Sequence, residues 1–416
     1  MKDLHHAALY VQGDTNKELL IAAIISGDLL GHELALSGIS GEIFSNTALK
    51  YFIDEELRHD HFEIDTGLNN SLANSSSGEQ KRALLKYILA KKPGFIILDN
   101  LFESLDITTR ESILLQLQDL SRHSVMIQIL ERKRDLLPFI ETVYILDHGV
   151  PTKTESAKEF RQEPIAQPSS YFSLAVPPPL QNFPSVQDPL ISMKNVSVQF
   201  GGRPILKDIN WEINAGEFWQ LKGPNGSGKS TILAMITGDS PKGYGQDMRL
   251  FGNKKGSGES VWTIKEKIGY FTPNMIRDFE RQDSIEKMIV SGFLDSVGLY
   301  IKPSDRQLGL ADDWLKLIGM YDIRRQPFRL TPTGQQRIVM VVRAMVKHPS
   351  LLILDEPASG LDDESAALFT ALVNKIAAET STAIIYVSHM NEPGLLPQHI
   401  FELFPDSNGS TGKIIK

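Results

Sequence analysis

The stretch that decides the fold reads Gly223-Pro224-Asn225-Gly226-Ser227-Gly228-Lys229-Ser230, with Thr231 directly after it. It matches the pattern G-x-x-x-x-G-K-[ST], in which glycines allow backbone N–H groups to close around phosphate oxygens. A strand-like run at residues 217–221 precedes the stretch, and a helical run follows from Thr231, so the positive end of a helix would face the phosphates. We therefore predict that residues 223–231 bind a nucleoside triphosphate. Lys229 would reach the β- and γ-phosphates, and Ser230 would ligate Mg²⁺.

Two carboxylates follow a buried strand further along the chain. The apolar run 351–354 leads into Asp355 and Glu356, and the apolar run 384–387 leads towards His389. Because open α/β sheets bind ligands at the carboxyl ends of their strands, we expect all three side chains at the same site. Asp355 would bind Mg²⁺, Glu356 would polarise the attacking water, and His389 would reach the γ-phosphate. The predicted catalytic residues are Glu356, His389 and Lys229.

The two halves of the chain repeat each other. In the first half, Asp99 follows Gly78 by 21 residues and Asp106 follows Asp99 by seven. The second half shows the same two offsets, at Gly334, Asp355 and Asp362. A coincidence in both offsets is a poor explanation, so we predict a duplicated α/β unit.

The order of these motifs resembles that of the ABC ATPases, strongly over residues 188–416 and weakly over 1–150. The resemblance implies an α/β fold with two tandem ABC ATPase domains of the P-loop NTPase, RecA-like type, binding ATP and Mg²⁺ as cofactors. It also implies that two domains enclose ATP head to tail and that Phe200 stacks on adenine. Segments such as Ile268-Gly269-Tyr270 and Val346-Lys347-His348-Pro349 are similar to the ModF-type proteins, which are tandem cassettes named for molybdate transport and similar to a photorepair-associated protein.

The prolines suggest where one domain ends. Eight of the 22 prolines lie between Pro151 and Pro189, and proline disfavours helix interiors and central strands. We predict a reduced, degenerate ABC domain at residues 1–150, a proline-rich linker at 151–187 and a complete ATP-binding domain at 188–416.

The first half departs from the pattern where nucleotide chemistry takes place. A gapless placement of residues 11–18 on the phosphate loop puts Glu18 at the lysine position, and a shift by one residue puts Lys17 there. Neither placement restores the glycines. Asn100 stands where the second half has Glu356, and Glu131 stands where it has His389.

A second motif, the signature loop, is by resemblance to the ABC ATPases the segment that faces the nucleotide bound by the other domain. It is retained in the first half of the chain and altered in the second. The first half retains Ser76, Gly78 and Glu79, which the resemblance assigns to binding ATP across the sandwich, whereas Pro332 occupies the serine position in the second half. If each site combines the loop of one half with the signature of the other, one site is complete and the other is degenerate. The sandwich could form within one chain or in a homodimer.

The composition limits the kinds of binding partner and the cellular location that we expect for this protein. The net charge of −8 gives no strong signal for nucleic-acid binding. The absence of cysteine excludes disulfides and thiolate metal sites. No apolar run approaches the ~20 residues of a membrane-spanning helix, so we expect a cytoplasmic protein, at the inner face of the membrane if permease subunits bind it.

Three functions remain open at this stage. The first is the ATPase subunit of a transporter for molybdate or another cargo, and the second is a soluble nucleotide-dependent switch that acts on a macromolecular partner. The third is a regulatory pseudo-ATPase. The resemblance predicts a glutamine after the Ile-Gly-Tyr run, near the position of Pro273, and its absence weakens the transport interpretation.

Overall fold

The computed structural model describes residues 4–13, 15–29, 36, 38–59, 62–66, 71–75, 77–103, 105–163, 172–180, 189–279, 282–296 and 302–415. The chain divides into two compact units. Unit 1 comprises Met1–Ala166 with Gly360–Glu364, and unit 2 comprises Gln167–Ser359 with Ser365–Lys416.

Unit 1 is built on one six-stranded sheet. Its strands are β1 (Ala7–Gln12), β2 (Gly41–Phe44), β3 (Phe95–Asp99), β4 (Val125–Leu130), β5 (Thr142–Asp147) and β6 (Val150–Ser156). Their order is β2-β3-β4-β1-β5-β6, with β6 antiparallel to β5 and the other pairs parallel. Strand β4 is buried throughout, as expected for an apolar run covered on both faces of a parallel sheet.

Unit 1 contains five described α-helices, of which the first four lie between consecutive strands of the chain and the last follows β6. They are α1 (Lys17–Ser26), α2 (Asn46–His59), α3 (Ser77–Ala90), α4 (Ile107–Leu120) and α5 (Ala157–Gln162). The side chain of Asn16 caps α1 by accepting from the N–H of Leu19, and Gly27 ends the helix with a φ of 81°. Asp106, one of the repeated acidic residues, caps α4 by accepting from the N–H of Thr109.

Unit 2 contains a corresponding sheet and a second one. The strands of the first are β9 (Phe218–Lys222), β12 (Ile268–Phe271), β13 (Leu351–Asp355), β14 (Ala383–Val387), β15 (His399–Phe404) and β16 (Thr411–Ile415). The second, antiparallel sheet consists of β7 (Ile191–Phe200), β8 (Arg203–Ile213), β10 (Asp247–Leu250) and β11 (Asn253–Lys254). The first sheet has the order β12-β13-β14-β9-β15-β16.

The helices of unit 2 are α6 (Lys229–Thr237), α7 (Val261–Glu266), α8 (Met275–Asp278), α9 (Ile285–Ser291), α10 (Asp305–Leu317), α11 (Thr333–Met345) and α12 (Asp363–Glu379). The core of the unit includes Trp211 stacked on Phe401, with ring centroids 4.5 Å apart. Among the helices of the described residues, none combines the length and apolar character that crossing a membrane requires.

The two six-stranded sheets have the same strand order when β1 to β6 are matched in sequence with β9 and β12 to β16. Helix α1 then corresponds to α6, α3 to α11 and α4 to α12. The predicted duplication is therefore confirmed at the level of topology. In the described part of unit 1, no second sheet accompanies the first.

The predicted linker begins too early. Residues 151–162 form most of β6 and all of α5 instead of an irregular segment. Pro151 is tolerated because it lies opposite Leu146 at a register irregularity, on a strand at the edge of the sheet. Of the remaining predicted linker, residues 172–180 form no helix or strand, and residues 164–171 and 181–187 lie outside the described part.

Candidate nucleotide-binding site

The phosphate loop of unit 2 lies between β9 and α6, as its sequence predicts. Helix α6 begins at Lys229, and its N-cap Gly228 has a φ of 95°, a left-handed conformation that favours glycine. A Cβ at Gly228 would lie 2.6 Å from a methyl group of Leu206, so a larger residue would also clash. Lys229 Nζ donates to the carbonyls of Gly223 (2.7 Å) and Pro224 (3.0 Å), which holds the ammonium across the loop.

The loop leaves a polar group for a ligand to satisfy. Ser227 is buried, and its hydroxyl has no hydrogen-bond partner among the described residues. A Cβ at Gly223 would approach that hydroxyl to 2.6 Å. A buried hydroxyl without a partner costs free energy, which a phosphate oxygen at the loop would recover. The loop therefore fits the phosphates predicted for it. Its remaining predicted residues lie in the turn before α6 and in the first turn of that helix: Pro224, Asn225, Gly226 and Thr231.

Two oxygen ligands suited to Mg²⁺ line one cavity. Ser230 and Asp355 both border a space of about 340 Å³ next to α6. Mg²⁺ commonly binds through one or two protein oxygens together with substrate phosphates and water, so this pair fits the ion. Tyr270 donates to Asp355 Oδ2 at 3.2 Å. Burial and the neighbouring charge of Glu356 raise the pKa of Asp355.

Glu356 and His389 come together at the ends of β13 and β14. Glu356 Oε1 lies 3.2 Å from Nδ1 of His389. Burial alone would raise the pKa of Glu356, but the hydrogen bond and charge of His389, with the charge of Lys229, hold it below its ordinary value. The carboxylate is therefore ionised at neutral pH, as a group that accepts a proton from water must be. Glu356 adopts a φ of 47°, which is unfavourable for a residue with a side chain of this size.

Unit 1 repeats this arrangement with other side chains. Asn100, the counterpart of Glu356, has a φ of 44°. Its amide donates to Glu131 Oε2 at 3.2 Å, as Glu356 contacts His389 in unit 2. The backbone of the site is thus retained, but the amide of Asn100 cannot act as a base.

Lys17, and not Glu18, corresponds to Lys229. Helix α1 begins at Lys17, as α6 begins at Lys229, so the gapless placement was wrong by one residue. The side chain of Asn16 starts the helix there. Lys17 Nζ lies 2.8 Å from Glu131 Oε1 and 3.3 Å from Asp99 Oδ1. Although burial opposes the charge, these two carboxylates raise the pKa of Lys17 above its ordinary value, so its ammonium is engaged within unit 1.

The two signature loops also differ. In unit 1, Gly78 is buried in the first turn of α3 and Glu79 follows it, whereas Ser76 lies outside the described residues. In unit 2, Pro332 is the N-cap of α11 and provides no side-chain cap. Sequence reasoning missed the cations three residues after each signature glycine. Lys81 Nζ donates to the carbonyl of Glu103 at 2.8 Å, and Arg337 donates to the corresponding carbonyl of Ser359 at 3.2 Å.

Phe200 lies at the end of β7 and is 47% exposed. A ring that is about half exposed at a strand end is accessible to a ligand. Lys242 Nζ lies 5.1 Å from the centroid of the ring, a neighbour that the sequence analysis did not anticipate. The predicted stacking of Phe200 on adenine remains a prediction.

Comparison with known proteins identifies the family. Residues 206–359 match the family model described as ABC transporter. The Escherichia coli K12 protein named ABC transporter ATP-binding protein ModF is 36% identical over 360 residues, which cover 83% of this chain and 73% of that protein. The chain belongs to the ABC transporter ATP-binding protein family. As a member of this family it is an ATP-binding ATPase, and the predicted resemblance to ModF is confirmed.

Further relatives support the same assignment. An uncharacterised ABC transporter ATP-binding protein of Schizosaccharomyces pombe is 31% identical over 331 residues, covering 78% of this chain and 67% of that protein. Among solved structures, the archaeal ribosome recycling factor aABCE1, in complex with the stalk protein aP1, matches with a TM-score of 0.64 and 14% identity. That match covers 99% of this chain and 85% of the other. At this identity the likeness shows the fold alone, and it is consistent with tandem ABC domains.

Proposed function

We propose that the protein hydrolyses ATP at one composite site, formed by the phosphate loop of unit 2 and the signature loop of unit 1. The observation that carries the proposal is the contact of Glu356 with His389, compared with the amide of Asn100 at the same place in unit 1. The second composite site, with Pro332 as its signature residue, would be inactive. The two units that enclose the nucleotide would come from one chain or from two copies.

The proposed mechanism assigns each step to a side chain. Lys229 and the N-terminus of α6 would hold the phosphates, and Ser230 and Asp355 would hold Mg²⁺, which would supply positive charge to the phosphate oxygens. Glu356 orients and deprotonates the attacking water, and His389 keeps the carboxylate in place and ionised. Ser76, Gly78 and Glu79 would bind the γ-phosphate side of the same nucleotide at the start of α3.

Unit 1 is proposed to act without binding nucleotide at its own phosphate position. Lys17 is engaged by Glu131 and Asp99 at 2.8 and 3.3 Å. Residues 11–16 include one glycine, Gly13, and it stands at neither of the two glycine positions of the phosphate-loop pattern. With its lysine neutralised by two carboxylates, the position offers no net positive charge to a triphosphate.

Gly78→Arg tests the composite site. The substitution should abolish ATP hydrolysis while ATP still binds to unit 2, because the change lies outside the phosphate loop. Gln116→Arg is a matched control, since it adds the same charge to the exposed side of α4 in the same unit. Full hydrolysis by Gly78→Arg would refute the assignment of this signature to the working site.

The biological role proposed first is that of the ATPase subunit of a membrane transporter, located at the cytoplasmic face with permease subunits as partners. Molybdate is the first candidate cargo, because the sequence resembles ModF-type proteins, which are named for molybdate transport. The second candidate is a soluble nucleotide-dependent switch. It is favoured by the turn at 272–274, where Pro273 stands near the place of the expected glutamine.

Glu356→Gln separates these two roles. The variant should bind ATP and stop before hydrolysis, which preserves complexes that depend on bound ATP. The tagged variant is purified from its own cells with and without ATP, with Lys229→Ala as a control that should not bind nucleotide. A multi-span membrane protein captured in the presence of ATP supports transport, whereas an ATP-dependent soluble complex without membrane components supports the switch.

A further inference from the structure

Helix α2 of unit 1 contains a buried carboxylate, Glu56, which is 7% exposed. Its Oε1 accepts from the N–H of Leu72 at 2.9 Å, and its Oε2 accepts from the N–H of Ala73 at 3.0 Å. Among the described residues, no lysine, arginine or histidine forms an ion pair with it. A buried carboxylate is expensive unless hydrogen bonds compensate for its lost hydration, and both of the compensating groups here belong to the same turn.

That turn leads into the signature loop. Residues Leu72–Asn74 form a single 3₁₀ turn, and α3 begins soon after it at Ser77. The first N–H groups of such a turn have no partner within the turn itself, and these are the ones that Glu56 binds. Gln80, which directly follows Glu79 of the signature in α3, donates to the carbonyl of Leu72 at 2.9 Å. The backbone of Leu72 is therefore fixed at two points, its N–H by Glu56 of α2 and its carbonyl by Gln80 of α3.

Unit 2 has a corresponding turn before its signature helix α11, but a different group accepts the hydrogen bond from the first N–H of that turn. Gln336 donates to the carbonyl of Phe328, eight residues earlier, as Gln80 does to Leu72. The N–H of Phe328, however, donates to the backbone carbonyl of Asp283 at 2.9 Å. That acceptor lies just before α9. Between β2 and α3, the described part of unit 1 has α2 as its only α-helix. The N–H of Leu72 therefore donates to a side chain of that helix, Glu56, where the N–H of Phe328 in unit 2 donates to a backbone carbonyl.

We infer that Glu56 is a positioning residue for ATP hydrolysis: it fixes the turn Leu72–Asn74, which leads into the signature loop at the start of α3, where Gly78 lies. The inference rests on the proposed function, in which this loop completes the ATP site of unit 2. Hydrogen bonds to an ionised acceptor are stronger than those between neutral groups. Each carboxylate oxygen accepts from one of the two adjacent N–H groups, whereas a glutamine amide in the same position would place its NH₂ group, a donor, against one of them. Catalysis is sensitive to such placement, because an error of ~1 Å far from the reacting atoms can cost about a hundredfold in rate.

Glu56→Gln tests the inference, with Glu55→Gln as its control on the same helix. The measurements are kcat and KM for ATP, direct ATP binding, and hydrogen exchange of the amides of residues 71–75. For Glu56→Gln we expect kcat to fall by about tenfold or more and exchange to accelerate at Leu72 and Ala73. KM and ATP binding should stay within about twofold, because the phosphate loop is unchanged. Glu55→Gln should behave as the wild type.

The outcomes separate this inference from the proposed function. A wild-type kcat in Glu56→Gln, or faster exchange spread over all of unit 1, would overturn the positioning role. If Glu56→Gln does not fold, Glu56→Asp takes its place. It keeps the charge but shortens the reach, so an intermediate kcat is expected and a wild-type kcat would overturn the role. If instead Gly78→Arg remains fully active while Glu56→Gln loosens residues 71–75, the composite site is wrong and the structural role of Glu56 stands.

Discussion

Replacing Lys17 with methionine should selectively destabilise unit 1. The change removes the ammonium between Asp99 and Glu131 and leaves two neighbouring carboxylates uncompensated. Breaking a fully buried pair by removing one partner costs roughly 3–5 kcal/mol. The side chains of Lys17 and Glu131 are each 22% exposed and that of Asp99 is 13% exposed, so solvent screening should reduce the loss to about 2–3 kcal/mol.

The assay uses the distribution of tryptophan in the chain. All four tryptophans lie in unit 2, at Trp211, Trp219, Trp262 and Trp314. Urea unfolding followed by tryptophan fluorescence therefore reports on unit 2, whereas far-ultraviolet circular dichroism reports on both units. In Lys17→Met, we expect one part of the dichroism transition to move to a urea concentration lower by about 1–2 M, with the fluorescence transition unchanged.

The loss should depend on pH. Burial already raises the pKa of Asp99 in the wild type, against the lowering effect of Lys17. Without that lysine the pKa of Asp99 should rise further. A carboxyl group whose folded-state pKa is raised weakens the folded state above that pKa, and the penalty disappears below the unfolded value of about 3.9. The deficit should thus be largest near pH 7–8 and small near pH 4, and Glu131→Gln added to Lys17→Met should recover part of it. Equal dichroism transitions for Lys17→Met and wild type at pH 8 would show that the ion pairs do not stabilise unit 1.

Three further predictions concern unit 2. Glu356→Asn should be more stable than Glu356→Gln by about 1 kcal/mol, because asparagine tolerates a φ of 47°. Both variants should lose hydrolysis. Equal melting temperatures of the two variants would show that backbone strain at this position does not cause a difference in stability. Without Mg²⁺, Asp355→Asn should raise the urea midpoint at pH 7 and match the wild type near pH 4, since the raised pKa of Asp355 makes its charge unfavourable only above that pKa; a gain that persists at pH 4 would contradict this. Phe200→Ala should weaken ATP binding roughly tenfold through lost stacking with little change in unfolding, and unchanged affinity would exclude Phe200 from the adenine site.

The sequence predicted the parts of the site whose chemistry depends on side chains at fixed offsets. The phosphate loop lies between β9 and α6, and Glu356 and His389 meet at neighbouring strand ends, because parallel strands end at one edge of the sheet. It did not predict the start of α1, since the best gapless placement put Glu18 at the lysine position and no glycines were present at the pattern positions to show that Lys17 belongs there. Asn16 resolved the choice by capping the helix. The role of Glu56 could not be read from the sequence, because its partners are backbone N–H groups and every residue but proline carries one.

The left-handed backbone shared by Asn100 and Glu356 has a consequence for how such a protein could evolve. At this φ asparagine has a lower conformational energy than glutamate by about 1 kcal/mol. A substitution of glutamate by asparagine therefore removes the base and reduces backbone strain at the same time. The reverse change would restore the strained residue and place a third carboxylate beside Asp99 and Glu131. If unit 1 has lost hydrolysis, as proposed, folding stability favours that loss and opposes its reversal. Once duplication has made one active site redundant, this asymmetry alone would keep the two repeats from becoming equivalent again.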